Sequence, residues 1–263
     1  MKRAETILVV SAALWYGVLP ALAVDHDNID ATHPLDFDDA ESIAFHERAL
    51  EFGGSIFQQK GRSLGLAGSA EYLYGFAKNW HLNAGIDPQL AQSSGASSGR
   101  QLGIGSTSIG VLHNFNRETT GTPALGFRAD AILPTARGAR GVDFRLRAMA
   151  SRKFGRYGRL HLNIDLNRNN SPQPVERGTT AGVIVGYSQP LGYPTRFDRT
   201  LVAQVGCRGA PTRGNSGILN VGVGIRQQVT PRSVFDVGIK SDIAGGGSDR
   251  ERFRVIAGYS TAF

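Results

Sequence analysis

Residues 159–168 read Arg-Leu-His-Leu-Asn-Ile-Asp-Leu-Asn-Arg. Leu160, Leu162, Ile164 and Leu166 alternate with His161, Asn163, Asp165 and Asn167. Successive side chains of a strand point to opposite faces, so this stretch predicts a strand with one apolar and one strongly polar face. The pattern returns at 142–153, where Val142, Phe144, Leu146, Ala148 and Ala150 oppose Asp143, Arg145, Arg147 and Ser151. It returns again at 79–87, 216–228 and 232–243. Followed along the chain, it predicts about twelve strands, at 50–58, 64–76, 79–88, 101–115, 122–133, 142–153, 158–168, 178–189, 198–208, 216–228, 232–243 and 252–263.

The connections separate two architectures that both alternate. A soluble sandwich has no rule for its turn lengths. Here short to moderate turns near 77–78, 116–121, 154–157, 190–197 and 229–231 interleave with longer, Gly-, Ser-, Pro-, Asn- or charge-rich loops near 89–100, 134–141, 169–177 and 244–251. Short turns on one side and long loops on the other mark an outer-membrane barrel. Phe76, Trp80, Phe115, Phe154, Tyr157, Tyr193, Phe197 and Phe235 all fall beside the short turns. Amphipathic rings collect at a membrane–water boundary, which predicts an aromatic girdle at one rim. The fold expected is all-β: a closed antiparallel transmembrane barrel over 50–263. Leu162, Ile164, Val221, Val223, Val237 and Ile239 are then expected to face lipid.

Composition agrees. Glycine contributes 34 of 263 residues, about twice its usual share of ~7%, which disfavours an all-α chain because each helical glycine costs about 1 kcal/mol. The single cysteine, Cys207, excludes a disulfide framework and a Cys-rich metal site. Lys2 and Arg3, the apolar run Ile7–Ala13 and the Ala21-Leu22-Ala23 site form a signal peptide with cleavage expected after Ala23. Residues 1–23 are thus an export signal and the destination is the outer membrane of a Gram-negative bacterium.

The overall charge of +7 hides a split. Residues 24–51 hold nine acids against Arg48, a net −8, whereas residues 52–263 hold 26 basic and 12 acidic residues, a net +14. Residues 24–49 are therefore expected as a separate acidic periplasmic segment. Asp38 or Asp39 is placed to cap a short helix running to about Leu50. The segment is either a solvated tail or a plug drawn into a basic periplasmic mouth. His26, His33 and His46 lie in it, but their spacing matches no known metal-ligand set.

Several segments carry a resemblance. Tyr74-Gly75-Phe76 leads through a tight turn to Trp80-His81-Leu82; Gly103-Ile104-Gly105-Ser106 opens a strand; Ala129-Asp130-Ala131-Ile132-Leu133-Pro134-Thr135 closes one; His161-Leu162-Asn163 follows a Gly turn. In that order, over about residues 64–263, the chain resembles the family named for the MetA pathway of phenol degradation, a set of outer-membrane barrels. Ser106 stands where that family often carries Asp. The resemblance implies the barrel fold and an association with aromatic degradation, not an activity. The final strand, with Phe253, Val255 and Tyr259 on one face and Phe263 last, resembles the signal by which the barrel-assembly machinery recognises its substrates.

With polar faces inward, charge clusters are expected in the lumen from Arg128, Asp130, Asp143, Arg145 and Arg147, with Asp165 beyond them, and from Arg226, Asp236, Lys240, Arg252 and Arg254. Such charges either hold strand register or bias a narrow pore toward anions. Three functions follow from different classes. They are a narrow channel for small, anionic or aromatic solutes, a structural or surface-interaction barrel with a plugged lumen, and a lipid-active enzyme. For the last, His113 and His161 are the candidate bases, with Asp165 near His161 on one strand face. No nucleophile elbow accompanies them, so no catalytic residue is assigned. No Walker or Rossmann pattern is present and no cofactor is expected. Nucleic acid is not an expected partner; outer-membrane lipid and a small solute are.

Overall fold

A computed structural model of the chain describes residues 34–62, 64–92, 100–103, 105–136, 138–192 and 198–263. The signal peptide, His26, His33, Tyr193 and Phe197 lie outside the described residues.

Twelve antiparallel strands form one closed sheet. They are β1 (Arg48–Gln59), β2 (Leu64–Ala77), β3 (Trp80–Ile86, continued by Gln89–Gln92), β4 (Arg100–Gly103, continued by Thr107–Asn116), β5 (Ala124–Leu133), β6 (Asp143–Phe154), β7 (Gly158–Arg168), β8 (Thr179–Pro190), β9 (Arg199–Arg208), β10 (Ile218–Thr230), β11 (Ser233–Gly245) and β12 (Glu251–Ala262). Each pairs with its chain neighbour, and β1 also pairs with β12, from Ala49 opposite Ala262 to Gln59 opposite Glu251. β3 is a single strand with a local break. Ile86 opposes Ala70 and Gln89 opposes Ala67, so the register runs straight across Asp87 and Pro88. Proline has no N–H to give the ladder, yet its carbonyl still accepts from Gly68 N at 2.7 Å.

The burial pattern is that of a membrane barrel and the inverse of a soluble protein. Ile164 is 49% exposed, Leu162 40% and Ile239 47%, whereas His161, Asn163 and Asp236 are at most 1% exposed. Val223 and Val237 are exposed too, and Val221 is half-buried. Alternate residues therefore give a continuous apolar outer surface and a polar interior. The turns after β2, β6 and β10 are tight, and Asn79 takes the left-handed conformation (φ 66°) that a two-residue turn needs. Phe76, Trp80, Phe115, Phe154 and Phe235 stand exposed at this end, with Trp80 stacked on His113 at 4.0 Å. Both ends of the barrel sequence, Arg48 and Phe263, meet there, Phe263 N donating to Arg48 O at 2.9 Å. At the opposite end the outer loops lace together. Asp249 accepts from Thr212 Oγ1 (2.8 Å) and Asn215 Nδ2 (3.0 Å), while Arg213 Nε donates to Glu176 O (2.8 Å).

The expected helix from Asp38 or Asp39 to Leu50 does not form. Residues 34–47 are irregular and Arg48–Leu50 already belong to β1. The reason is where the segment lies. Its backbone groups are satisfied by the barrel's interior side chains, which removes the need for helical bonds.

Candidate functional site: the lumen and the segment within it

Residues 34–47 lie inside the barrel and run as an arc around its wall. Going back from β1, Ala44 packs on Gly75 of β2. Ile43 N donates to His81 Nδ1 of β3 at 3.3 Å. The carbonyl of Ala40 accepts from Asn114 of β4 at 2.8 Å, and Ala40 N donates to Ser151 Oγ of β6 at 3.1 Å. Asn163 of β7 reads Asp38 at both ends, accepting from its N–H (2.6 Å) and donating to its carbonyl (2.9 Å). Phe37 stacks on His161 at 5.1 Å, Asp36 N donates to Gln204 of β9 at 2.7 Å, and Leu35 and Pro34 end against β10 and β11.

The wall is cut to receive it. A Cβ at Gly126 would stand 2.6 Å from Ala40 O, one at Gly186 2.5 Å from the Phe37 ring, and one at Gly238 2.5 Å from Pro34 O. These glycines allow an approach that any other residue would block. Three apolar clusters each seat part of the segment: Leu35 and Phe37 with Ile184 and Val202; Ala40 with Leu112, Ala124 and Met149; Ile43 with Ala49, Leu73 and Ala262. Phe37, Asp39 and Ala40 are at most 1% exposed.

Charge fits as closely. Three times, register places two cations directly opposite each other on neighbouring strands: Arg128 and Arg147, Lys153 and Arg159, Lys240 and Arg254. Like charges so placed are destabilising. Each pair receives a carboxylate from the segment. Asp38 lies 2.6 Å from Arg147 and 4.0 Å from Arg128. Asp39 and Glu41 each lie 3.1 Å from Arg159. Asp36 lies 2.5 Å from Lys240. Burial alone would raise the Asp36 carboxyl, but Lys240 together with the hydrogen bond from Gln204 and the charge of Arg147 outweighs it and holds the pKa at about 2.

The predicted charged residues divide between partners as follows. Asp130 binds Arg128 and Arg145, each at 3.0 Å, and Arg128 reaches Glu71 at 2.8 Å. Asp165 takes Arg147 at 2.6 Å. Asp143 stands apart at the outer rim, accepting from Asn170 N. On the other side of the barrel the expected cluster is divided by register. Asp236 pairs with Arg226 at 2.9 Å, not with 252–254, because register sets those two opposite each other. Lys240 faces Arg254 and so turns to Asp36, while Arg254 takes Glu251 at 2.7 Å. Arg252 lies exposed at the outer end of β12. Asp36, Asp39 and Arg159 were not among the predicted set. Pattern alone hides them, since their partners are more than a hundred residues away.

Beyond the segment, toward the outer loops, lies a cavity of about 680 Å³. Six cations line it (Arg128, Arg145, Arg147, Arg208, Lys240, Arg254) with eight carboxylates (Asp36, Asp38, Glu51, Glu71, Asp165, Asp242, Asp249, Glu251). The occupied cavity is therefore mixed in sign with a surplus of two carboxylates, both from the segment, while the wall's own share is balanced at six of each. His161 is buried between two serines and beneath the segment, and its expected neighbour Asp165 is held by Arg147. The imidazole nitrogens lie 3.0 and 3.1 Å from Ser151 and Ser188, Phe37 covers the ring, and Arg147 grips both oxygens of Asp165. His113 sits in the girdle, 3.2 Å from Asn79 O.

No protein-family model matches the chain, and no curated protein does. Solved structures do. An outer-membrane channel of the COG4313 group from Pseudomonas putida F1 superposes with a TM-score of 0.70 at 13% identity, over 87% of this chain and all of that one. The NanC porin gives 0.59 at 8% identity over 81% of this chain and 98% of its own, and the KdgM porin 0.52 at 10% over 82% and 99%. At these identities the likeness is one of architecture. This chain has the fold of a twelve-stranded outer-membrane β-barrel.

Proposed function

We propose that the protein is a narrow outer-membrane channel for small polar solutes, closed at its periplasmic mouth by residues 34–47. The observation that carries this reading is the three opposed cation pairs, each of which takes a carboxylate of the segment beside the acids of the wall. With the segment displaced, the lining loses Asp36 and Asp38 and goes from a surplus of carboxylates to six of each sign, and Lys240, Arg147 and Arg159 lose these partners, so the open lumen admits anions more readily than the closed one. The charged lining gives an aromatic solute little to bind. The MetA-pathway resemblance enters as a likeness of barrel architecture. Recognition of the last strand by the barrel-assembly machinery is part of the same reading. The competing function, a permanently plugged structural barrel, draws its support from the depth at which Phe37 and Ala40 are buried.

Conductance in planar bilayers separates the two. Deleting residues 34–43 is expected to raise single-channel current and shift selectivity toward anions. In the intact chain, high salt should raise open probability by screening the ion pairs. Deletion that leaves both current and selectivity unchanged at every salt concentration overturns the channel reading.

A further inference from the structure

A second concentration of charge stands at the outer rim, where β11, β12 and β1 end. Lys60, Arg250 and Arg252 line a groove of about 270 Å³ there, with Asp242. The groove is built rather than accidental. Lys60 N donates to Arg250 O at 2.8 Å, which ties the β1–β2 turn to the β11–β12 turn and brings the two cations together. Arg250 is fixed in orientation, since its Nε donates to Asp242 O (2.8 Å) and its terminal nitrogen to Ile243 O (2.9 Å). A guanidinium has five N–H donors, so three remain to be directed into the groove. Asp242 is the one acid there and is already engaged. Its Oδ2 accepts from Glu251 N at 2.7 Å and from Arg208 at 3.3 Å. Among the described residues, no carboxylate forms an ion pair with Lys60, Arg250 or Arg252. Inside the lumen, by contrast, Arg128, Arg147, Arg159 and Arg226 each pair with an acid.

We propose that this groove is a phosphate-binding site, with an oriented guanidinium as its base and Lys60 and Arg252 as its walls. Planar N–H forks suit phosphate oxygens, and two further cations supply charge. The position favours the phosphorylated headgroup of an outer-leaflet glycolipid. Leu64 and Ile243, exposed on the outer surface, end the apolar belt just below the rim, and headgroup phosphates lie at that height. Solute passage through the lumen is not required for this site.

The test uses the full-length protein in detergent, titrated with diphosphorylated lipid A, with the same lipid after dephosphorylation, and with inorganic phosphate. Lys60→Gln/Arg252→Gln is the variant, because Arg250 also holds the turn. Lys60→Gln alone, in an exposed turn, serves if the double variant loses its fast unheated gel mobility. Diphosphorylated lipid A should bind the wild type at least about tenfold more tightly than the dephosphorylated lipid. The double variant should lose about tenfold, as two exposed charged contacts are each worth up to about fivefold. Inorganic phosphate binding that the variant loses, with no difference between the two lipids, makes the ligand a free phosphate at the same site. Equal binding of phosphorylated and dephosphorylated probes, or identical binding by variant and wild type, overturns the proposal.

Discussion

At the scale of single residues, Asn163 and Ile164 show how one step along a strand changes the physics. Ile164 faces lipid, and an arginine there should cost about 2–4 kcal/mol of barrel stability. Sequence alternation suggests that arginine at Asn163, facing a wet lumen, costs far less. The structure changes that expectation, because Asn163 is fully buried and binds both backbone groups of Asp38. Arginine at 163 should instead evict the segment, raising single-channel current while the barrel still folds. Urea unfolding in lipid for Ile164→Arg, and bilayer current for Asn163→Arg, check the pair. Equal destabilisation without added current would mean that position 163 only supports the wall.

At the scale of elements, the strands were legible because alternation is a local property. A strand such as β7 announces its two faces within ten residues. The short turns and their aromatics were legible for the same reason. The path of residues 34–47 was not. Asp38 meets Arg147 across 109 positions and Asp36 meets Lys240 across 204, and the opposed cation pairs appear only once register is known. Acidity at Asp38 and Asp39 read locally as a helix cap, whereas a folded wall offered those residues arginines instead. The outer loops give an element-scale prediction. Burial would raise the Asp249 carboxyl, but hydrogen bonds from Asn215 and Thr212 outweigh it and hold the pKa below the usual carboxylate value. A lowered folded-state pKa contributes stability above the ordinary value and loses it as pH falls through the lowered one. The 209–217 loop should therefore stay protected from hydrogen exchange down through the ordinary carboxylate range and open only in stronger acid. Asp249→Asn should remove that pH dependence; an unchanged profile would place the control elsewhere.

At the scale of the whole molecule, closure of β1 on β12 joins the body of the sheet into a ring, and on the proposed channel function the movable part is the arc lining that wall. That arc is anchored at one end, where Glu47 enters β1, and its other described end lies against β10 and β11. A strip fastened along a curved surface and pulled from its far end peels: its fastenings carry load one at a time, where a rigid stopper would have to shear all of them together. The order of release is then written in the chain, with Lys240 letting go first, Arg147 next and Arg159 last. Opening should appear in single-channel records as a staircase of subconductance levels. Lys240→Gln should remove the first step and leave the later ones, while an all-or-none trace in both proteins would mean that the segment leaves as a block.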